Sequence, residues 1–430
     1  MKNKDKSRKI VKIGVHKHLQ GLTLKEIEAI QDEYFKENNL DTRDKAFVKN
    51  LTLSSIRNRG IIENVITKYL NRPLPKKFTE IKAILIMGVA QILFTRTEDY
   101  AAVNTTVNFF EGRLKKWRGL SNAILRKIIR EENYKSKKYE LRLNIPYWLY
   151  KVWQKQYGEK NTEKITDYIF KEPTLDLKIK KDFNFWKKEI SGKEIAYNTL
   201  RLSKSGDPKK ISGYKEGAWW VQNLAAQIPV ELMGNIKNEK VLDLCAAPGG
   251  KTAQLLNEGA LVTAVDISEK KIKKLSSNIS RLNLEKNLTT ISKDFLKWNS
   301  DKKYNKILLD APCSATGTVR KNPDVLWNKN EKDIERLANT QKKLLDKAIS
   351  KLSDKGILIY CNCSMQFEEG EKVIDFFIKK NRVKLLPIKP EELKLFPKEI
   401  FKSGFIRTLP YMYNEFGGLD GFFIARFTKA

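Results

Sequence analysis

"VLDLCAAPGGKTAQLL", residues 241–256, carries three signals in succession. VLDL is an apolar run of the buried-strand kind, CAAPGG is a turn of small residues, and KTAQLL resumes a helical pattern. The small residues let a ligand approach the backbone, and the helix start beyond them offers unpaired N–H groups. Cys245, Ala246, Ala247, Pro248, Gly249, Gly250 and Lys251 are therefore candidate cofactor contacts. Working outward, "LVTAVD" is a second strand ending on Asp266, which can accept from a ribose diol. Asp294, after "TTIS", is expected to end a third strand and to meet an adenine amino group. "KILLDAPC" brings Asp310 to a strand end, and "GILIYCNC" is a further strand that stops at two cysteines and is followed by two glutamates. Helical patterns in "KIKKLSSNISRL" and "DIERLANTQKKLLDKAISKL" lie between these strands. The alternation predicts a parallel, doubly wound, Rossmann-like α/β sheet.

Three ligand classes compete for the loop. The glycine that opens a phosphate-binding P-loop is replaced by Cys245, and the G-x-G-x-x-G of a nicotinamide site is absent. A nucleoside without a pyrophosphate fits best, which points to S-adenosylmethionine as cofactor.

The first third reads as all-helical. "TLKE" from Thr23 has capping-box spacing ahead of Ile27 and Ile30. "RDKAFVKNLTLSSI", "IIENVITKYL", "FTEIKAILIMGVAQILF" and "LSNAILRKIIREE" then repeat apolar residues at three- and four-residue spacing. The expected organisation is a helical domain over 1–133, a small connecting module over 134–210 and a catalytic domain over 211–430. The module shows a helix around "PYWLYKVWQKQYG" and a strand in "TLDLKIKK"; Trp148, Trp153 and Trp186 read as core rather than as base-stacking platforms. The N-terminus is a charged tail with no signal or transit peptide pattern, and the longest apolar run, from Ala83, is too short to span a membrane. The expected location is the cytoplasm.

A net charge of +32 implies a polyanionic partner, because basic side chains that neutralise phosphates release counterions. Up to Glu140 there are 30 basic and 16 acidic residues, so the charge is spread over the whole chain. Lysine outnumbers arginine 65 to 18, which leaves drift toward lysine as the competing explanation. On the helical domain the RNA-facing rim would include Arg57, Arg59, Lys115, Lys116 and Arg118.

"DLCAAPGGKT", "DAPCSATGTVRKNPD", "YCNCSMQFEEGE" and the closing "DGFFIARF" resemble the motifs of RsmB/Sun-type RNA (cytosine-5)-methyltransferases. "IMGVAQILFTR" and "LSNAILRKIIR" resemble the NusB-like domain found in the small-subunit ribosomal RNA branch of that family. The resemblance implies a Rossmann-like S-adenosylmethionine methyltransferase domain behind an all-α NusB-like domain, acting on carbon 5 of a cytidine in 16S rRNA. It assigns nucleophilic attack to Cys363 and product release to Cys313, and it brings Asp310 to the cofactor or the target base. Carbon 5 is a poor nucleophile, so a thiolate must first add to carbon 6. DNA cytosine methyltransferases attack instead from a Pro-Cys, a layout that Pro312-Cys313 also offers.

Other readings stay in competition. Cys245, Cys313, Cys361 and Cys363 would make a four-thiolate zinc site, but C-x-C lacks paired C-x-x-C spacing and both histidines, His16 and His18, sit in the tail; no metal is expected. Cys361 reads as buried packing. Arg320 and Lys321 would face phosphate or remain solvated, and Lys251 either closes the cofactor loop or is solvated. Asn223 stands where relatives carry aspartate, Asn362 where they carry threonine, and "TLDLKIKK" lacks their usual arginine and asparagine. The expected partner is small-subunit ribosomal RNA, with a monomer favoured and no membrane. The same chemistry on tRNA or another rRNA site is the near alternative, and a non-catalytic assembly or antitermination factor the distant one.

Overall fold

The computed structural model describes residues 2–75, 77–131, 134, 138–203 and 206–430. It divides into two compact units, Met1–Lys155 with Asn322–Asn330, and Gln156–Lys321 with Glu331–Ala430. The boundary expected at 133/134 falls among 132, 133 and 135–137, which lie outside the described residues.

The first unit is built from α1 (Lys2–Leu19), α2 (Leu24–Glu37), α3 (Thr42–Arg57), α4 (Arg59–Lys68), α5 (Thr79–Phe94), α6 (Asp99–Val107) and α7 (Arg118–Arg130), and α8 (Tyr147–Tyr157) carries the chain onward. The lysine-rich tail is in fact α1. Ile10, Val11 and Val15 are buried at helical spacing, a stripe hidden in the sequence by the lysines around it. His18 is buried with them, and burial, reinforced by the Arg59 charge, pulls its pKa down to about 3. The expected capping box starts α2: Thr23 Oγ1 accepts from the Glu26 N–H, and Glu26 Oε2 accepts from the Thr23 N–H at 2.8 Å. The apolar run becomes α5, the centre of the bundle. Ile84, Leu85, Ile86, Val89 and Ile92 are all at most 1% exposed, and each such side chain contributes about 1.5–3 kcal/mol by leaving water. Among the described residues no helix is long and apolar enough to cross a membrane.

Asn322–Asn330 completes this unit. Asp324 accepts from the Leu24 N–H at the start of α2 (3.0 Å), and Arg59 lies 4.6 Å over the Trp327 ring. Arg59 also pairs with Glu63 at 3.0 Å, so it is held in the fold rather than spread along a rim. Lys115 and Lys116 are exposed as expected. Trp153 is fully buried, which agrees with its reading as core.

The second unit holds two sheets. After α9 (Glu159–Ile169) come β1 (Leu175–Ile179), α10 (Phe183–Glu189), β2 (Lys193–Glu194), β3 (Thr199–Leu202) and β4 (Trp219–Val221), paired antiparallel in the order β2-β3-β1-β4. β1 is the strand expected in "TLDLKIKK". The larger sheet uses α11 (Leu224–Glu231), β5 (Lys240–Leu244), α12 (Gly250–Asn257), β6 (Leu261–Asp266), α13 (Glu269–Arg281), β7 (Leu288–Ser292), β8 (Tyr304–Asp310), α14 (Glu331–Lys351), β9 (Leu352–Asn362), α15 (Glu371–Lys379), β10 (Val383–Leu385), β11 (Phe401–Lys402), β12 (Phe405–Thr408) and β13 (Phe422–Lys429). Its order is β11-β12-β13-β9-β8-β5-β6-β7, with β10 on β13. β7, β6, β5, β8 and β9 run parallel, and β13 returns antiparallel to β9. The strand order reverses between β5 and β8, so their carboxyl ends frame the crevice where an open α/β sheet binds its ligand.

Candidate active site

The loop from β5 to α12 is shaped by two left-handed residues, Cys245 (φ 58°) and Gly249 (φ 100°). A Cβ on Gly249 would stand 2.9 Å from Leu275 Cγ on α13, so loop and helix pack too closely there for a side chain. Asp266, at the end of β6, accepts from the Ala247 N–H (3.3 Å) through Oδ2 and from the Ser268 N–H (3.0 Å) through Oδ1. Beneath the loop, Asp243 Oδ2 accepts from the Thr252 hydroxyl at 2.6 Å, while Oδ1 is buried without a hydrogen-bond partner. Burial raises the Asp243 carboxyl to about 7 against the opposing pull of that hydroxyl. Asp243 was not singled out in the sequence, where it looks like one residue of an apolar strand.

Asp310, at the end of β8, is engaged on both oxygens. Lys251 Nζ donates to Oδ2 at 2.8 Å and lies 4.9 Å over the Phe422 ring; Cys361 Sγ donates to Oδ1 at 3.6 Å. Burial works to lower the Lys251 pKa, but the Asp310 carboxylate, with the Cys361 and Cys363 sulfurs, outweighs it and raises the value. Lys251 is only 9% exposed, so its solvated reading does not hold. Asp310→Asn strips the counter-ion from this buried ammonium. The expected loss is about 3 kcal/mol, at the low end for a broken buried pair because the Asp310 side chain is a third exposed, and urea unfolding measures it.

β8 and β9 pair in parallel with Asp310 opposite Cys361, so the segments that leave their ends travel together. Cys313, three residues past Asp310, and Cys363, two past Cys361, meet with their sulfurs 3.5 Å apart. The Cys313 thiol is raised well above its usual value, first by its hydrogen bond with Cys363 and then by burial. Burial also pushes Cys245 up to about 12 and Cys361 well upward, with the Asp310 charge adding in both, so these two remain thiols. The Ala315–Thr318 turn closes over the pair. Gly317 donates to Cys363 O at 2.9 Å, and a Cβ on Gly317 would stand 1.9 Å from Gly421 O, so only glycine lets the turn dock there.

Other expected residues are held by partners of their own. β7 stops at Ser292, two residues short of Asp294, whose Oδ1 accepts from the Leu296 N–H (3.0 Å) and caps a short turn. Arg320 is buried and donates to the carbonyls of Gly417 and Glu172, and Lys321 pairs with Asp420 at 2.8 Å. These contacts hold the loop together, and the two side chains do not form a free phosphate-facing pair. Asn223 caps α11 by accepting from the Ala225 N–H. Asn362 donates to Glu369 O at 2.7 Å and belongs to a buried polar cluster behind the cysteines. Among the described residues no group of three or more His, Cys, Asp or Glu is placed to hold a metal ion.

A largely parallel sheet of this order, with a small-residue loop at its switch point, defines the class of Rossmann-like methyltransferases. Residues 231–428 match the family described as 16S rRNA methyltransferase RsmB/F, and residues 8–130 match the NusB family. The chain belongs to the ribosomal RNA small subunit methyltransferase B family. The enzyme of that name from Photorhabdus laumondii is 30% identical over 96% of this chain and 99% of its own length, and that from Citrobacter koseri 31% identical over 80% and 84%. The crystal structure of PH0851 shares the fold with a TM-score of 0.78 at 24% identity over 99% of both chains. That of NSun6 from Pyrococcus horikoshii with SFG shares it over 66% of this chain and 98% of that one, with a TM-score of 0.55 at 21% identity.

Proposed function

We propose that the protein is a cytoplasmic, S-adenosylmethionine-dependent methyltransferase that makes 5-methylcytidine in small-subunit (16S) ribosomal RNA through a covalent cysteine adduct. Residues 1–133 serve as the RNA-binding domain, 134–210 as a connecting module and 211–430 as the catalytic domain. The observation that carries the reading is the pair of sulfurs, Cys313 and Cys363, 3.5 Å apart at the ends of β8 and β9. Chemistry at carbon 5 of cytosine needs one thiolate to attack carbon 6 and a second group beside it to help the ring recover.

The cofactor is assigned to the loop Cys245–Lys251 with Asp266, Asp294 and Asp310. The residues present fit it. The side chains from Ala246 to Gly250 are all small, and the orphaned Asp243 Oδ1 is an acceptor that an ammonium-bearing ligand would satisfy. When bound, S-adenosylmethionine supplies a methyl group on a sulfonium. Cys363, the proposed nucleophile, forms the S–C6 bond and thereby turns carbon 5 into an enamine carbon. Once carbon 5 is methylated its proton passes to a base and the S–C6 bond breaks, which returns the Cys363 thiolate and the aromatic ring. Cys313 is assigned to this release: after yielding its own proton to solvent it takes the carbon-5 proton as a thiolate, and its raised pKa makes that thiolate a strong base.

Incubation of the protein with labelled S-adenosylmethionine and unmodified small-subunit rRNA is expected to yield 5-methylcytidine on nuclease digestion and mass spectrometry. Label on tRNA alone would move the substrate, and label on no RNA would turn the reading toward a non-catalytic assembly factor.

A further inference from the structure

Behind the two sulfurs lies one carboxylate that touches neither. Glu369 is fully buried, as are Ser314, Ser364, Gln341, Asn362 and Tyr360 around it. Its Oε1 accepts from the Ser314 N–H at 2.8 Å and from Gln341 Nε2 at 3.0 Å. Its Oε2 accepts from the hydroxyls of Ser364, at 2.6 Å, and Ser314. Its backbone oxygen accepts from Asn362 Nδ2 at 2.7 Å and from the Tyr360 hydroxyl at 2.6 Å. The positions of these partners in the chain give the arrangement its meaning. Ser314 follows Cys313 and Ser364 follows Cys363, and Asn362 precedes Cys363. Pro312, which precedes Cys313, is held through its carbonyl by Gln341 at 2.9 Å. Each cysteine is thus bracketed on both sides by groups that converge on Glu369.

We propose that Glu369 is a positioning residue that sets the separation of Cys313 and Cys363 by tying the two cysteine-bearing segments to a single carboxylate. Four donors aim at two oxygens, and only a carboxylate accepts from all of them; an amide would turn one acceptor into a donor. A buried carboxylate that lacked its partners would cost heavily, so the four donors and the carboxylate require one another. The clamp leaves both sulfurs free to reach substrate, since no hydrogen bond joins it to either thiol.

The kinetic part of the test rests on the cysteine-adduct function proposed above, and the thiol part does not. Glu369→Gln is expected to lower kcat about 10²-fold, the cost of a misplacement of order 1 Å, while KM for RNA and for S-adenosylmethionine stays near wild type. Independently, diamide takes two protons and two electrons from a pair of adjacent thiols, leaving a disulfide and a hydrazine. Formation of the Cys313–Cys363 disulfide, located by peptide mapping, is expected to be on the order of tenfold slower in Glu369→Gln, because the bond tolerates little change in geometry. Ser364→Ala removes one strut, keeps the carboxylate, and is expected to give a smaller change of the same kind; it stands in if Glu369→Gln does not fold. A wild-type protein that methylates no RNA defeats the functional reading, yet the disulfide rates still test the clamp. Disulfide rates at the wild-type value in both variants overturn it, as does a Glu369→Gln loss confined to thermal stability.

Discussion

Cys363→Ala is expected to form neither 5-methylcytidine nor a protein–RNA adduct, a loss on the order of 10⁴–10⁶-fold, as when a nucleophile is deleted from a covalent mechanism. The reason lies in the unequal thiols. Cys245 and Cys361 are held as neutral thiols by burial and by the nearby carboxylates, so neither can stand in. Cys313 is raised first by its hydrogen bond with Cys363, which the substitution removes, and then by burial, which remains; it also leaves from the end of β8 rather than β9, so it does not replace the attacking sulfur. The fold should survive, because the neighbouring Asn362 and Ser364 keep their bonds to Glu369. Quantitative nucleoside analysis and a denaturing gel read both outcomes.

Cys313→Ala is expected to do the opposite on the gel, with the RNA adduct accumulating while multiple turnover falls about 10²–10⁴-fold, the range for loss of a proton-transfer group. Attack needs only Cys363, which the substitution leaves in place on its own strand end. Release needs the proton on carbon 5 to go and the S–C6 bond to break, and alanine offers no group 3.5 Å from Cys363 to assist. If the two variants exchange phenotypes, the attacking sulfur is the one beyond β8, the Pro-Cys layout of DNA cytosine methyltransferases.

Much of this architecture can be read in the sequence because it is local. The strand, loop and helix of residues 241–256 form as expected, and Thr23 and Glu26 form their capping box. Local pattern fails where spacing is diluted or contacts are distant. The lysines of α1 hide three buried aliphatic residues, and a short β7 leaves Asp294 beyond its end as a turn cap. Arg320 and Lys321 read as phosphate-facing or solvated because their charge is local information, whereas the carbonyls of Gly417 and Glu172 and the carboxylate of Asp420 that hold them are far along the chain. The clamp around Glu369 draws on the loop after β8, on β9 and the residues past its end, and on α14, so only the glutamates after C-N-C-S hinted at it. The approach of Cys313 to Cys363 depends on the register of β8 with β9, which no short window contains.

The most direct test is to locate the bond to RNA. Wild-type protein is reacted with S-adenosylmethionine and small-subunit rRNA carrying 5-fluorocytidine, in which fluorine replaces the carbon-5 proton that must leave, so the adduct persists. Nuclease and protease digestion followed by mass spectrometry then identifies the modified cysteine. The predicted result is a nucleotide on the peptide that contains Cys363. A nucleotide on Cys313, or on neither cysteine, would contradict the division of labour between the two strand ends.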